Sequence, residues 1–92
     1  MAFSSGKFHG YDIDRSVVLF SMMNDLTEIP CAISTTAMDD MEGAKRTPAA
    51  AREEQFMRLR GDIEAKAGLK FSNSELEGKP AGIILRSIDF RK

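Results

Sequence analysis

Apolar residues along this chain change their spacing several times, and each change marks an element. From Thr47 to Gly68 the period is helical: at about 100° per residue Ala49, Phe56, Leu59, Ile63 and Ala67 fall on one narrow stripe. Arg52, Arg60 and Lys66 flank it, and their methylene stems can lie along its margins. Thr47 is placed to accept a backbone N–H as N-cap, Pro48 suits a first turn that needs no donor, and Gly68 offers a left-handed stop. The opposite side repeats Glu54, Arg58 and Asp62 at four-residue steps, with Arg60–Glu64 and Asp62–Lys66 as further pairs, the pattern of a solvated face. Gly61 lies on that outer side, where it costs roughly 1 kcal/mol against alanine with no packing reason visible in the sequence. The apolar stripe must lie on another layer.

That layer is read from shorter runs. Ser16–Met23 contains Val17, Val18, Leu19 and Phe20 in a row, too short for a comfortable helix and apolar on both faces. Asn24 and Asp25 supply turn chemistry, and Thr27–Ser34 returns with a period of two: Ile29, Cys31 and Ile33 on one face, Glu28, Pro30, Ala32 and Ser34 on the other. Pro30 cannot donate to a ladder, which predicts an edge strand or an outward-facing Pro30 nitrogen. Ser34, Thr35 and Thr36 are candidate N-caps for a short helix over Thr36–Lys45, its inward face made by Ala37, Met38, Met41 and Ala44. Leu69-Lys70-Phe71 fits a trailing turn or a short strand, and Ser72–Pro80 has the composition of a loop. Gly82–Phe90 reads as the last strand, with Ile83 and Leu85 on one side and Ile84, Arg86 and Ile88 on the other. At the start, residues 1–10 read as a loosely ordered segment, and Gly10–Arg15 as a turn region leading into the first strand.

The order strand, strand, helix, helix, strand predicts a single α+β domain over 11–92: a β-hairpin, a short helix, a long helix and a C-terminal strand, with an antiparallel sheet of about three strands and helices on one face. Two helices joined by a few residues cover one side of such a sheet, and a chain of 92 residues has a thin core. A homodimer packing around Phe20, Met22, Ile84 and Ile88 would cover the other side. The alternative is that the N-terminal segment folds over it with Phe3, Phe8 and Tyr11.

Composition narrows the function classes. Thirteen basic residues against fourteen acidic ones, interleaved along the long helix, remove the main warrant for nucleic-acid binding. No apolar run approaches the ~18 residues of a membrane span, and Met1–Gly10 lacks the apolar core of a secretory signal. With a single cysteine the chain also lacks a disulfide framework, and a cytoplasmic location is expected.

Candidate chemistry is sparse. His9, Asp12 and Asp14 are the one cluster with a ligand flavour, although a fourth partner is not evident and a polar turn explains the same residues. Asp39, Asp40 and Glu42 sit near a helix N-terminus, which is reason enough for acid there. Cys31 alternates with Ile29 and Ile33, as a small core hydrophobe would, and pairing it with His9, the only histidine, would need the flexible start to dock against an inward strand face. Met22, Met23, Met38 and Met41 fit either a gap-filling role or an adaptable surface. No glycine-rich phosphate loop is present, since Gly6 and Gly10 precede neither a helix nor a suitable basic residue.

Taken together, Val17-Val18-Leu19-Phe20, a short turn, Ile29-Pro30-Cys31-Ala32-Ile33-Ser34 followed by Ala37-Met38, a long helix around Phe56 and Ile63, and a closing Ile88-Asp89-Phe90 resemble a family of small bacterial proteins catalogued as domain of unknown function 1488. The likeness runs from Tyr11 to Phe90, and each piece is a packing pattern. The resemblance implies a small cytoplasmic α+β domain with no assigned activity, and it supplies no site residues. The reading is therefore a non-enzymatic interaction or accessory protein, without cofactor, acting as a homodimer or on another protein. Its places to look are the edge with Pro30 and the Met22-Met23 region. The alternative is a small-ligand or metal-binding domain using His9, Asp12 and Asp14.

Overall fold

The computed structural model describes residues 3–43, 46–78 and 81–90. Four strands form one sheet in the order β1-β2-β3-β4: β1 Phe3–Asp12, β2 Val17–Asn24, β3 Thr27–Ser34 and β4 Ile83–Leu85. Between β3 and β4 come α1 (Thr35–Glu42), a 3-10 turn (Ala49–Ala51) and α2 (Arg52–Ser72), and a second 3-10 turn, Ser87–Phe90, follows β4. The α+β order expected from the sequence holds, with the short and then the long helix after the hairpin and a strand closing the sheet.

The hairpin forms where the pattern put it. Asn24 faces Thr27 across a two-residue Asp25-Leu26 turn, with Asp25 at φ 55, a conformation that aspartate tolerates better than most residues. β2 and β3 then pair antiparallel from Val17↔Ser34 to Asn24↔Thr27. Ser34 ends β3 and caps α1, its Oγ accepting the Ala37 N–H at 3.1 Å, and Gly43 at φ 65 closes that helix. The helix thus spans Thr35–Glu42 in place of the expected Thr36–Lys45. Ala44 and Lys45 lie outside the described residues.

The beginning of the chain differs most. Residues 3–12, expected to be loose and then turning, form the longest strand, antiparallel to β2. Phe3 stacks on Phe71 of α2 with ring centroids 4.6 Å apart, and Phe8 meets Phe56 at 5.5 Å. The segment therefore extends the sheet sideways, its rings turned toward α2, and does not cover the opposite face. Register slips between Ser5 and Phe8 and again between Phe8 and Gly10 hide the strand in the sequence, because the inward residues Phe3, Phe8 and Tyr11 no longer keep a period of two.

The last strand is also different. It is three residues long and pairs parallel to β3, through Cys31↔Ile83, Ala32↔Ile84 and Ile33↔Leu85. A side-chain bond ends it: Asp89 accepts the Arg86 N–H at 2.7 Å and folds Ser87–Phe90 into a turn. β3 is consequently interior, flanked by β2 and β4, and the β4 ladder begins only at Cys31, beyond Pro30.

α2 begins later and ends later than its sequence signals. Ala49–Ala51 wind as a 3-10 turn, and Thr47 does not cap: its hydroxyl donates to Asp39 at 2.7 Å. Arg52, expected at the stripe's margin, is buried and reaches the same carboxylate at 2.8 Å, while Gln55 donates to it at 2.9 Å. This polar clasp joins α1 to α2. Gly68 does not stop the helix, because Phe71 stacks on Phe3 and Lys70 is drawn inward to donate to the Ile84 carbonyl at 2.8 Å and pair with Asp89 at 3.2 Å. Termination comes at Ser74, at φ 58, with Glu75 N bonding back to Lys70 O and Ser74 N to Phe71 O.

The core lies between α2 and one face of the sheet. Phe56, Ile63 and Ala67 of the stripe are fully buried against Val18, Phe20, Ile33, Ile83 and Leu85, with Ala37 and Met38 of α1 at one end. Leu59 packs partly buried beside them, and Ala49 is exposed in its turn.

Candidate interaction surface

Alternation along β2 sorts its side chains between two environments. Val18, Phe20 and Met22 enter the core; Val17, Leu19 and Met23 lie on the helix-free face and stay half-buried. Phe20 and Met22, named from sequence for the dimer surface, are thus 2% and 3% exposed beneath α2 and are lost to that surface. Ile84 and Ile88 remain. Ile84 is half-buried on the helix-free face, and Ile88, in the turn after β4, is 68% exposed.

The strand register assembles these leftovers. Leu19 stands opposite Ala32 and Ala32 opposite Ile84, giving an apolar row across three strands, with Gly10 of β1 continuing the line beside Leu19. Val17, Ala32, Ile84 and Ile88 line an open groove of ≈ 610 Å³ edged by Arg15 and Arg86. A smaller hollow of ≈ 270 Å³, lined by Leu19, Pro30, Glu77 and Ile84 among others, adjoins it. Sequence alternation marked Pro30, Ala32 and Ser34 as one face; what it could not supply was β4 beside them, since the pairing is parallel and made from far along the chain.

Ion pairs rim the face. Arg86 grips Glu77 through two bonds of 3.0 and 3.1 Å, holding the Glu77 carboxyl below its usual range and raising the guanidinium in return. Arg15 likewise holds the Asp12 carboxyl below its usual range, donating at 2.8 Å from its side chain and 3.3 Å from its backbone N–H. On the β1 side His9 lies 3.0 Å from Glu28, whose carboxyl is lowered by the Ser21 hydroxyl first and by His9 next. Ser21 is buried on this otherwise open face because β1 bulges over it: Lys7 N donates to its Oγ at 2.9 Å, and a Cβ at Gly6 would collide with it.

The structure separates the residues with possible metal chemistry. His9 is engaged with Glu28, Asp12 with Arg15, and Asp14 sits exposed in the turn after β1. Among the described residues no group of three or more His, Cys, Asp and Glu is placed to hold a metal. Asp39 and Glu42 serve the clasp, Glu42 accepting two bonds from Arg58 at 2.9 and 3.1 Å, while Asp40 is exposed. Burial alone would raise the Asp39 carboxyl, but bonds from Arg52, Gln55 and Thr47 overcome it and lower the pKa to about 2. Cys31 is buried on the core face with its pKa pushed up to about 12 by that burial, and its S–H points to the Ile29 carbonyl. It faces away from His9. Of the methionines, Met22 and Met38 are core, Met41 is partly buried and Met23 borders the open face. No helix among the described residues is long and apolar enough to cross a membrane.

Comparison with known proteins places the chain among others of the same shape. The model of the family described as "Protein of unknown function (DUF1488)" matches residues 2–84. The fold is similar to that of a crystal structure of a protein of unknown function from the DUF1488 family of Shewanella loihica PV-4. The TM-score is 0.75 at 19% sequence identity, covering 94% of this chain and 97% of that one. A comparison with curated proteins finds no match.

Proposed function

The chain belongs to the DUF1488 family, and we propose that it is a non-enzymatic interaction domain acting as a homodimer through the helix-free face of its sheet. The observation that carries this reading is the row Leu19, Ala32 and Ile84, with Val17 and Ile88 beside it, which no described segment of the chain covers. Contiguous apolar surface of this kind is selected against on a free monomer. A second copy suits it because small Ala32 in the middle of the row leaves room for a facing side chain, and because the Arg15–Asp12 and Arg86–Glu77 pairs on the rim each carry both signs, so a two-fold operator can bring positive against negative without a dedicated partner. Against thiol catalysis stands the buried, undissociated Cys31 thiol, which lies on the core face.

Sedimentation at micromolar concentration tests the reading. The expected species has twice the 10.2 kDa of one chain, and Ile84→Glu, which puts a charge at the β4 end of the row, converts it to the monomer with the fold intact. A wild-type protein that sediments as a 10.2 kDa monomer throughout the series sinks it.

A further inference from the structure

The groove on the helix-free face is graded from one end to the other, and the strand register says why. Leu19, Ala32 and Ile84 make a wholly apolar row. Two residues further along, Val17 faces Ser34 and Arg86 follows Ile84 past the end of β4; beyond them come Arg15 ahead of β2 and Thr36 after β3. Hydrogen-bond donors thus collect at one end. The groove's ≈ 610 Å³ are lined by the guanidinium groups of Arg15 and Arg86 and the hydroxyls of Ser34, Thr36 and Ser87, with no carboxylate among the described residues that line it. In a chain with more acidic residues than basic ones, that is a selective lining. Asp12 and Glu77, which hold the two arginines, stand outside it. Much of the donor capacity is unspent. Asp12 takes the Arg15 Nε–H and backbone N–H, and neither Nη of Arg15 has a partner among the described residues. Ser34 Oγ accepts the Ala37 N–H and keeps its own proton to give, and the Thr36 and Ser87 hydroxyls are likewise without partners among the described residues.

We infer that this groove binds a free, straight-chain carboxylate, its head among Arg15, Thr36 and Ser87 and its apolar body over Val17, Ala32 and Ile84. The open fork of Arg15 suits the two oxygens of a carboxylate, and the hydroxyls add donors that a cation or a neutral chain would leave unused. Arg86 is spent on Glu77 through two bonds and serves as a fixed wall, so the selection of charge falls to Arg15. The floor crosses β2, β3 and β4, about 10 Å at the usual spacing between strands, which accommodates a chain of about eight carbons. The volume lies in the range of small-molecule clefts. This site goes beyond the self-association reading and does not rest on it: a carboxylate lying over Ile84 takes surface that a second copy needs, so the two compete.

Octanoate and octanol, equal in chain length and different in charge, test this by calorimetry on the full chain. Octanoate should bind saturably with a dissociation constant of about 1 mM or tighter, and octanol about tenfold more weakly. Arg15→Gln, in the exposed turn before β2, should cut that preference about fivefold and leave octanol unaffected. The absence of saturable octanoate binding overturns the inference. Equal affinity for the two probes, or a preference that Arg15→Gln leaves intact, overturns it as well, since either marks apolar adsorption only. Sedimentation with and without octanoate judges self-association separately. A wild-type monomer that binds octanoate leaves the groove site standing and removes the homodimer, whereas a dimer that octanoate neither binds nor disperses does the reverse. A dimer that persists with octanoate saturating the groove keeps the site and moves self-association off the sheet face.

Discussion

Asp39 shows how a residue that looks like surface acid becomes structural. Three donors converge on its carboxylate, one of them the buried guanidinium of Arg52, and its pKa falls from an ordinary 3.8 to about 2. A carboxyl lowered in the folded state contributes stability that is complete above about pH 4 and is lost as the pH falls through 2. The melting temperature of the wild type should therefore drop across that window more steeply than that of Asp39→Asn. At neutral pH, Asp39→Ala leaves Arg52 buried without its counter-ion and should cost about 3 kcal/mol in urea unfolding. Cys31 makes the opposite case. With its thiol raised to about 12, it should resist labelling by a thiol reagent at pH 8 until denaturant opens the fold, and rapid labelling of native protein would contradict its burial. The core role of Cys31 was legible from its alternation with Ile29 and Ile33; the role of Asp39 was not, because its partners Thr47, Arg52 and Gln55 come from beyond the linker.

At the scale of elements, local signals were reliable where the chain satisfies its own backbone and unreliable where distant contacts decide. The β2–β3 hairpin, Ser34 ahead of α1 and the apolar stripe of α2 all belong to the first kind. Ser34→Ala should cost about 1 kcal/mol, read from the unfolding midpoint, because it removes the hydroxyl that accepts the Ala37 N–H. The second kind includes β1, whose two bulges erase the alternation, and the C-terminal turn of α2, which Phe3, Ile84 and Asp89 hold in helix past Gly68. It also includes the end of β4, where a nine-residue apolar alternation stops after Leu85 because Asp89 turns back on Arg86.

For the whole molecule, the open sheet face was foreseen as a consequence of having too few helices, but half its residues were assigned to it wrongly. Without β1 and the parallel β4 the sheet had no fixed inside, and Phe20 and Met22 fitted either side. The close seat of β4 gives a test of this arrangement: a Cβ at Gly82 would collide with the Pro30 carbonyl, so Gly82→Ala should part β4 from β3 and lower stability by about 2 kcal/mol. Accelerated amide exchange confined at first to residues 82–85 would identify the separation.

The parallel seat of that final strand also bears on how the chain is made. The three antiparallel strands can join as soon as they emerge during synthesis, whereas the groove beside Cys31 and Ile33 stays bare until Ile83–Leu85 arrives from roughly fifty residues downstream. A nascent chain therefore carries an unfinished, sticky border through most of its translation, and the same border, zipped last, is the one a ribosome-bound helper or a neighbouring nascent copy would find open.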